Sequence, residues 1–331
     1  MVDVVIPLYR PDAGTGILLR RLLKQDYEIN RIILINTEKE YFNEELLFDP
    51  VIEVHHITKP EFDHGATRHM GMELSDADYV LFLTMDAIPA DTHLISSLVK
   101  CFEHRGSKGE PVAVAYGRQL ASKKASFEEK YTRNYNYPPQ GRIKTIDDIK
   151  ELGIKTYFCS DVCAMYDRTA YFSNGGFPEK IIFNEDMVYA SKAMKNGYAV
   201  EYCAKARVYH SHNYSFREQF RRNFDMGVSQ KDYEEVFSGI KSENEGIKMV
   251  VSAAEYMMDN GHWYDIPHLF INSAAKYTGY RLGKMYKHLG KKIILKLTSN
   301  KEYWESASTE YFTCSNGCHN NDCGLFCCVG Y

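Results

Sequence analysis

Between residues 4 and 116 short apolar runs alternate with stretches of helical periodicity, and few folds accommodate that pattern. Val4-Val5-Ile6-Pro7-Leu8 opens the series, Leu18, Leu19, Leu22 and Leu23 recur at helical spacing, and Ile32-Ile33-Leu34-Ile35 restarts a strand. A strand over 52–57, a helix over 66–74 and a strand over 79–83 follow; a helix over 92–104 and a strand over 112–116 extend the series. Runs apolar at successive positions are buried on both faces, and strand–helix–strand units join parallel strands, so the pattern predicts a parallel, doubly wound α/β sheet. Residues 121–160 loosen into a Tyr-, Pro- and charge-rich stretch, read as a functional loop on the acceptor side.

A chain of 331 residues with 44% apolar and 25% charged residues easily buries a core. Its net charge of -4 excludes a globally basic nucleic-acid binder. Residues 1–9 carry neither a basic start nor an apolar stretch fit for a signal peptide or membrane span, so the expected location is the cytoplasm. Three regions are expected: a catalytic domain over 1–230, a helical part over 231–305 that begins with a hinge or loop to about 246, and a tail over 306–331.

Ligands of open α/β sheets bind outside the carboxyl ends of the strands, where the run Thr84-Met85-Asp86 places a carboxylate. One Asp suffices to hold a hard cation that phosphate oxygens and water also ligate. The competing reading of Asp86 is a cap for the following helix. Asn184-Glu185-Asp186 offers two acids, either a general base or merely favourable charges at a helix start. His210 and His212, two apart at the end of a strand, face one side and could reach a metal or a diphosphate. After the first strand the chain reads Pro7-Leu8-Tyr9-Arg10-Pro11-Asp12, with neither G-x-G-x-x-G nor the glycine-rich loop of a nucleotidyltransferase. No P-loop motif occurs either.

In order, VVIPLY, EFDHGATRHMG, YVLFLTMDAIP, AYGRQL, GGFPE, NEDM and HSHNYS resemble the motifs of family 2 inverting glycosyltransferases of the GT-A fold. The likeness is strongest to bacterial rhamnosyltransferases that build cell-surface polysaccharide, and spans roughly residues 1–230. It implies Mg²⁺ or Mn²⁺ held by Asp86, with His212 or His210 completing the shell; the first Asp of the usual D-x-D is replaced by Thr84. It favours Asp186 over Glu185 as general base. It places Pro7, Tyr9, Arg10, Asn36, Asp63, His64, Arg68 and Met85 on the donor side, with Arg118 and Gln119 reaching the sugar. Asp63 and His64 could instead be only turn residues around Gly65. The implied reaction moves a sugar, L-rhamnose from dTDP-L-rhamnose, onto a glycan or polyprenyl-linked acceptor. The alternatives are a UDP-hexose donor or a catalytically silent glycan- or lipid-binding module.

From Lys276 to Lys301 eight basic residues occur without one Asp or Glu, and Leu282, Met285, Leu289, Ile293 and Leu297 share a helical face. That combination describes either a helix lying on anionic lipid at the inner face of the membrane or an amphipathic helix packed on the protein. The tail holds Cys314, Cys318, Cys323, Cys327 and Cys328 with His319, in spacings that match no standard zinc template.

Overall fold

The computed structural model describes residues 1–237 and 243–306, so the Cys-rich tail lies outside the described residues. The strands are β1 (Val2–Tyr9), β2 (Arg31–Thr37), β3 (Ile52–Ile57), β4 (Tyr79–Leu83), β5 (Ile88–Pro89), β6 (Val112–Leu120), β7 (Arg142–Lys144), β8 (Cys163–Asp167) and β9 (Ala199–Tyr209). They form one sheet in the order β3-β2-β1-β4-β8-β6-β9-β5, with β7 on β9. The parallel expectation holds for β1 to β4. It is interrupted by β8, which enters between β4 and β6 antiparallel to both, while β6 keeps the direction of β4 and pairs in parallel with β9. The sheet is therefore mixed, and β8 is a strand absent from the expected series.

Both faces of the sheet are buried, as the unbroken apolar runs required. Along β2, Ile32 and Leu34 join Leu18, Leu19, Leu22 and Leu98 on one face. Ile33 and Ile35 point to the other, with Val5, Phe82, Tyr166, Tyr171 and Val188. Each such side chain contributes about 1.5–3 kcal/mol on full burial, so a one-residue slip of β2 would be prohibitive.

The loose stretch has more structure than its composition suggests. Ser126 caps helix Phe127–Asn136 by accepting from the Glu129 N–H at 3.1 Å. Phe127 then stacks on His262 with centroids 3.8 Å apart, and Glu128 accepts from Asn272 at 2.6 Å and pairs with Lys276 at 3.3 Å. This segment is thus fastened to the C-terminal helices. Of the expected hinge over 231–246, helix Glu234–Phe237 occupies one part and helix Glu243–Asp259 begins another.

The basic segment does not form one amphipathic helix. Helix Ile266–Lys284 ends, a 3₁₀ turn covers Tyr286–His288, and helix Lys291–Leu297 starts anew after Gly290. The stripe is accordingly divided. Leu282, Leu289 and Leu297 pack around Phe224, Ile294 and Trp304, whereas Met285 and Ile293 stay half exposed. No helix among the described residues is long and apolar enough to cross a membrane.

Helices Phe216–Asp232 and Ile266–Lys284 cross in direct backbone contact. A Cβ at Gly279 would lie 2.2 Å from the Phe220 carbonyl oxygen, one at Gly283 2.1 Å from that of Phe224, and one at Gly227 2.3 Å from that of Tyr280. Backbone cannot yield as a side chain tip can. Gly279→Val and Gly283→Val are each expected to cost about 1–3 kcal/mol or more in denaturant unfolding. Gly246→Ala, inside helix Glu243–Asp259 with nothing within 4 Å, is the control, and it should not destabilise the fold.

Candidate active site

At the carboxyl end of β4 the chain turns sharply: the Thr84 N–H bonds the Val162 carbonyl at 3.2 Å and the Ala87 N–H returns to Thr84 at 3.0 Å. That turn points Asp86 at the histidines beyond β9. His212 Nε2 lies 3.0 Å and His210 Nε2 3.5 Å from Asp86 Oδ2, and the two nitrogens are 3.0 Å apart. Three ligating atoms thus converge on one point.

The tautomers follow from the second shell. His210 Nδ1 lies 2.8 Å from Gln119 Oε1, which can only accept, so Nδ1 carries the proton and Nε2 keeps its lone pair. Burial, opposed by Asp86, lowers His210 to about 3, so its imidazole is neutral at physiological pH. Burial works against charge on Asp86 too, but the His212 hydrogen bond and the field of His210 outweigh it and hold the carboxyl well below its ordinary range.

A cavity of about 740 Å³ opens beside these groups, and its floor carries the second constellation. Asn184 adopts φ +67°, a left-handed conformation that Asn tolerates, and starts helix Glu185–Lys195 so that both acids fall in its first turn. Arg68, 6% exposed, lies 3.0 Å from Glu185 and 3.4 Å from Asp161. Asp186 accepts from the Met187 N–H at 2.7 Å and the Asp161 N–H at 3.3 Å. One cation therefore faces three carboxylates. Burial first, then Asp161 and Glu185, push Asp186 well above its ordinary value, and burial raises Asp161 to about 7.

Of the residues expected at the site, Asp86, His210, His212, Glu185, Asp186, His64, Arg68 and Gln119 line the cavity. Several have other duties than those expected. Arg68 neutralises the floor. Gln119, 2% exposed, orients His210 instead of reaching open space: Arg133 also donates to its oxygen, and its amide donates to Tyr137 at 2.6 Å and Ser160 at 2.9 Å. Asp63 caps helix His64–Leu74, accepting from Gly65 at 2.8 Å and Ala66 at 3.0 Å, and burial raises it to about 6. Arg118 donates to the Tyr137 carbonyl at 3.0 Å. Asn36, fully buried, bonds Glu38 and His56. Met85 packs on the core. Pro7 lies within β1, whose end leads to Tyr9 and Arg10; Arg10 stacks 4.3 Å over Tyr41. Pro7, Tyr9 and Arg10 stand outside the cavity, at the carboxyl end of β1.

Arg222, on the helix after the histidine pair, also lines the cavity, and Asp161 and Arg133 line it although they escaped the sequence reading. Asp161 precedes β8, and because β8 runs antiparallel to β4 its amino end meets the carboxyl end of β4. Recognising that strand would have placed Asp161 at the crevice.

Residues 3–172 match the family Glycosyl transferase family 2. The chain is 35% identical over 315 residues to the O-antigen chain rhamnosyltransferase RfbN of Salmonella typhimurium, covering 92% of this chain and 96% of that one. It is 32% identical over 314 residues to WbaN, the O-antigen chain rhamnosyltransferase of Salmonella anatum, covering 92% and 95%. A mannosyltransferase of Pyrobaculum calidifontis, solved with GDP-Man and Mn²⁺, shares the fold at a TM-score of 0.51 and 13% identity, over 93% of this chain and 86% of that one. With sequence and fold in agreement, the chain belongs to glycosyl transferase family 2 and is a glycosyltransferase of the GT-A fold.

Proposed function

We propose that this enzyme transfers L-rhamnose from dTDP-L-rhamnose, with inversion, to a cell-surface glycan carried on a polyprenyl lipid. The observation that carries the reading is the placement of Asp86, His210 and His212 in one cavity with Asp186 and Glu185. Both curated relatives are named rhamnosyltransferases, which supports the sugar.

One carboxylate and two imidazoles fit a divalent cation, and the imidazoles suit Mn²⁺ better than Mg²⁺. A cation there would supply charge stabilisation for the departing diphosphate. Gln119 keeps His210 Nε2 aimed at that point. Arg133 and Arg222 bring further positive charge to the wall, Arg222 lying 4.8 Å over the Tyr214 ring. Tyr9, Arg10 and Tyr41 provide a stacking surface for the nucleobase beyond the carboxyl ends of β1 and β2.

Asp186 takes the proton of the attacking acceptor hydroxyl. The two amides at 2.7 and 3.3 Å fix its carboxylate, and its raised proton affinity makes it a stronger base than an exposed Asp. It works only when ionised. Because its pKa is raised, turnover should fall as pH drops, with an acid limb above the ordinary carboxylate range of about 4. Asp186→Asn should lower turnover by roughly 10² to 10⁴ while donor affinity changes little, and remove that limb from the residual rate. Near-normal turnover of Asp186→Asn, with Glu185→Gln inactive, would transfer the role to Glu185.

Asp86→Ala should abolish the gain in nucleotide affinity that Mn²⁺ gives, because Thr84 offers no substitute carboxylate. Calorimetric titration of dTDP in Mn²⁺ and in EDTA measures it. Equal wild-type affinity in both would remove the cation from the reading.

The exposed Lys287, Lys292 and Lys296, near half-exposed Met285 and Ile293, would rest on anionic lipid at the inner face of the cell membrane. At about 1 kcal/mol each, three lysines are worth up to roughly a hundredfold in binding. Changing all three to Glu should release the enzyme from anionic vesicles in co-sedimentation. Undiminished binding of the triple variant, or none by wild type, refutes the surface.

A further inference from the structure

A second convergence of ligating side chains lies toward the other end of β9 from the histidines. Positions two apart on a strand share a face, so Glu201 and Cys203 both look toward helix Leu94–Cys101. That helix ends with Cys101 against them, and the turn beyond it supplies His104, whose N–H bonds the Cys101 carbonyl at 3.1 Å. His104 Nδ1 lies 3.1 and 3.0 Å from the two Glu201 oxygens. The ligating atoms of Cys101, His104 and Glu201 all fall within 4.8 Å of one another. The two thiols meet at the Ser97 carbonyl, 3.3 Å from Cys101 Sγ and 3.5 Å from Cys203 Sγ.

Burial makes the arrangement informative. Cys101 is 1%, Cys203 7% and Glu201 8% exposed, whereas His104 stands at the surface. A carboxylate so enclosed is costly unless a cation balances it, and its ion-pair partner is His104, which is charged only when protonated.

We propose that Cys101, His104, Glu201 and Cys203 bind one thiophilic divalent cation, zinc by its chemistry, which fastens helix Leu94–Cys101 to β9. Two sulfurs, one imidazole nitrogen and one carboxylate oxygen are a four-donor set suited to tetrahedral zinc. At zinc bond lengths such donors lie about 3.3–3.8 Å apart, so Cys101, His104 and Glu201 must draw closer, and Cys203, which stands outside that group of three, must turn in from the Ser97 carbonyl that both thiols share. His104 gives the ion its way in from solvent. This centre is separate from the donor-binding cation: Cys203 and His210 are seven residues apart on one chain, up to roughly 23 Å along an extended strand. Its thiols set it apart from the carboxylate and imidazoles at Asp86, which suit a cation shared with phosphate. Its role is to stabilise the fold and not to react.

The test uses the full-length protein, freed of metal by chelation and titrated with Co²⁺ as an optical stand-in for zinc. Wild type should develop a thiolate-to-cobalt charge-transfer band that one equivalent of Zn²⁺ erases, and its thermal midpoint should rise with Zn²⁺. Cys203→Ser should lose about half of that band's intensity, since one of two thiolates is gone. His104→Ala, changed at an exposed position that does not threaten folding, should weaken Co²⁺ binding at least tenfold, as loss of a ligand does, and leave Mn²⁺-dependent sugar transfer intact. Asp86→Ala should keep the whole band. The tail cysteines are present in every variant, so wild-type-minus-variant difference spectra isolate this centre. Identical cobalt affinity and spectra for wild type and His104→Ala would overturn the proposal, and an undiminished band in Cys203→Ser would overturn the four-donor set.

Discussion

Arg68 is the charge on which the floor of the cavity rests. It comes from helix His64–Leu74, while the carboxylates around it come from the segment before β8 and from the first turn of helix Glu185–Lys195. Three separate stretches of chain therefore meet at one buried guanidinium. Removing one partner from a buried pair typically costs roughly 3–5 kcal/mol, because the charge left behind has neither water nor a counter-ion. Burial first, and then repulsion among acids that one cation cannot balance, raises both Asp161 and Asp186. The acidity of the proposed base is thus a property of the cluster.

Gln119 links that floor to the other half of the site. Its oxygen fixes His210, while its amide holds Tyr137 and Ser160, the residue just before Asp161. A single buried amide therefore ties the histidine pair to the carboxylates. Gly65 serves the same economy of space: a Cβ there would lie 2.2 Å from the Pro178 carbonyl oxygen, so only glycine lets the loop that leads to Asn184 lie against the Arg68 helix.

Much of this was legible in the residues because it depends on local pattern. The apolar runs of β1 to β4 are buried on both faces and could hardly be anything but central strands. Asp86 and the His210–His212 pair sit at strand ends, where simple geometry directs them to the crevice. What escaped depends on partners far apart in sequence. Nothing near Asp161 announces a site until β8 is seen to run backwards, and nothing near Arg68 distinguishes a phosphate ligand from a counter-ion for Glu185. The basic segment misled for a related reason. Helical spacing was projected through Gly290, while the actual break lets Leu282 and Leu289 turn inward around Phe224. Cys101 and Cys203, a hundred residues apart, were invisible as a pair.

The glycine crossing also governs how the enzyme can move. Helix Phe216–Asp232 presents Gly227 to its neighbour, while Arg222 and Asp225 line the cavity, so the wall of the site and the interlocked helices are one rod. Asp225 accepts from Thr298 at 2.6 Å and from Ser299, drawing the chain beyond helix Lys291–Leu297 onto the same rod. With backbones already touching, neither helix can slide or roll without lifting off the other. A swing of the C-terminal helices about that crossing would break those backbone contacts. The chain after β9 and the loop ahead of Asn184 are held to the same rod, since Arg222 lies 4.8 Å over Tyr214 and 5.5 Å over Phe183, and Ser229 donates to the Phe183 carbonyl.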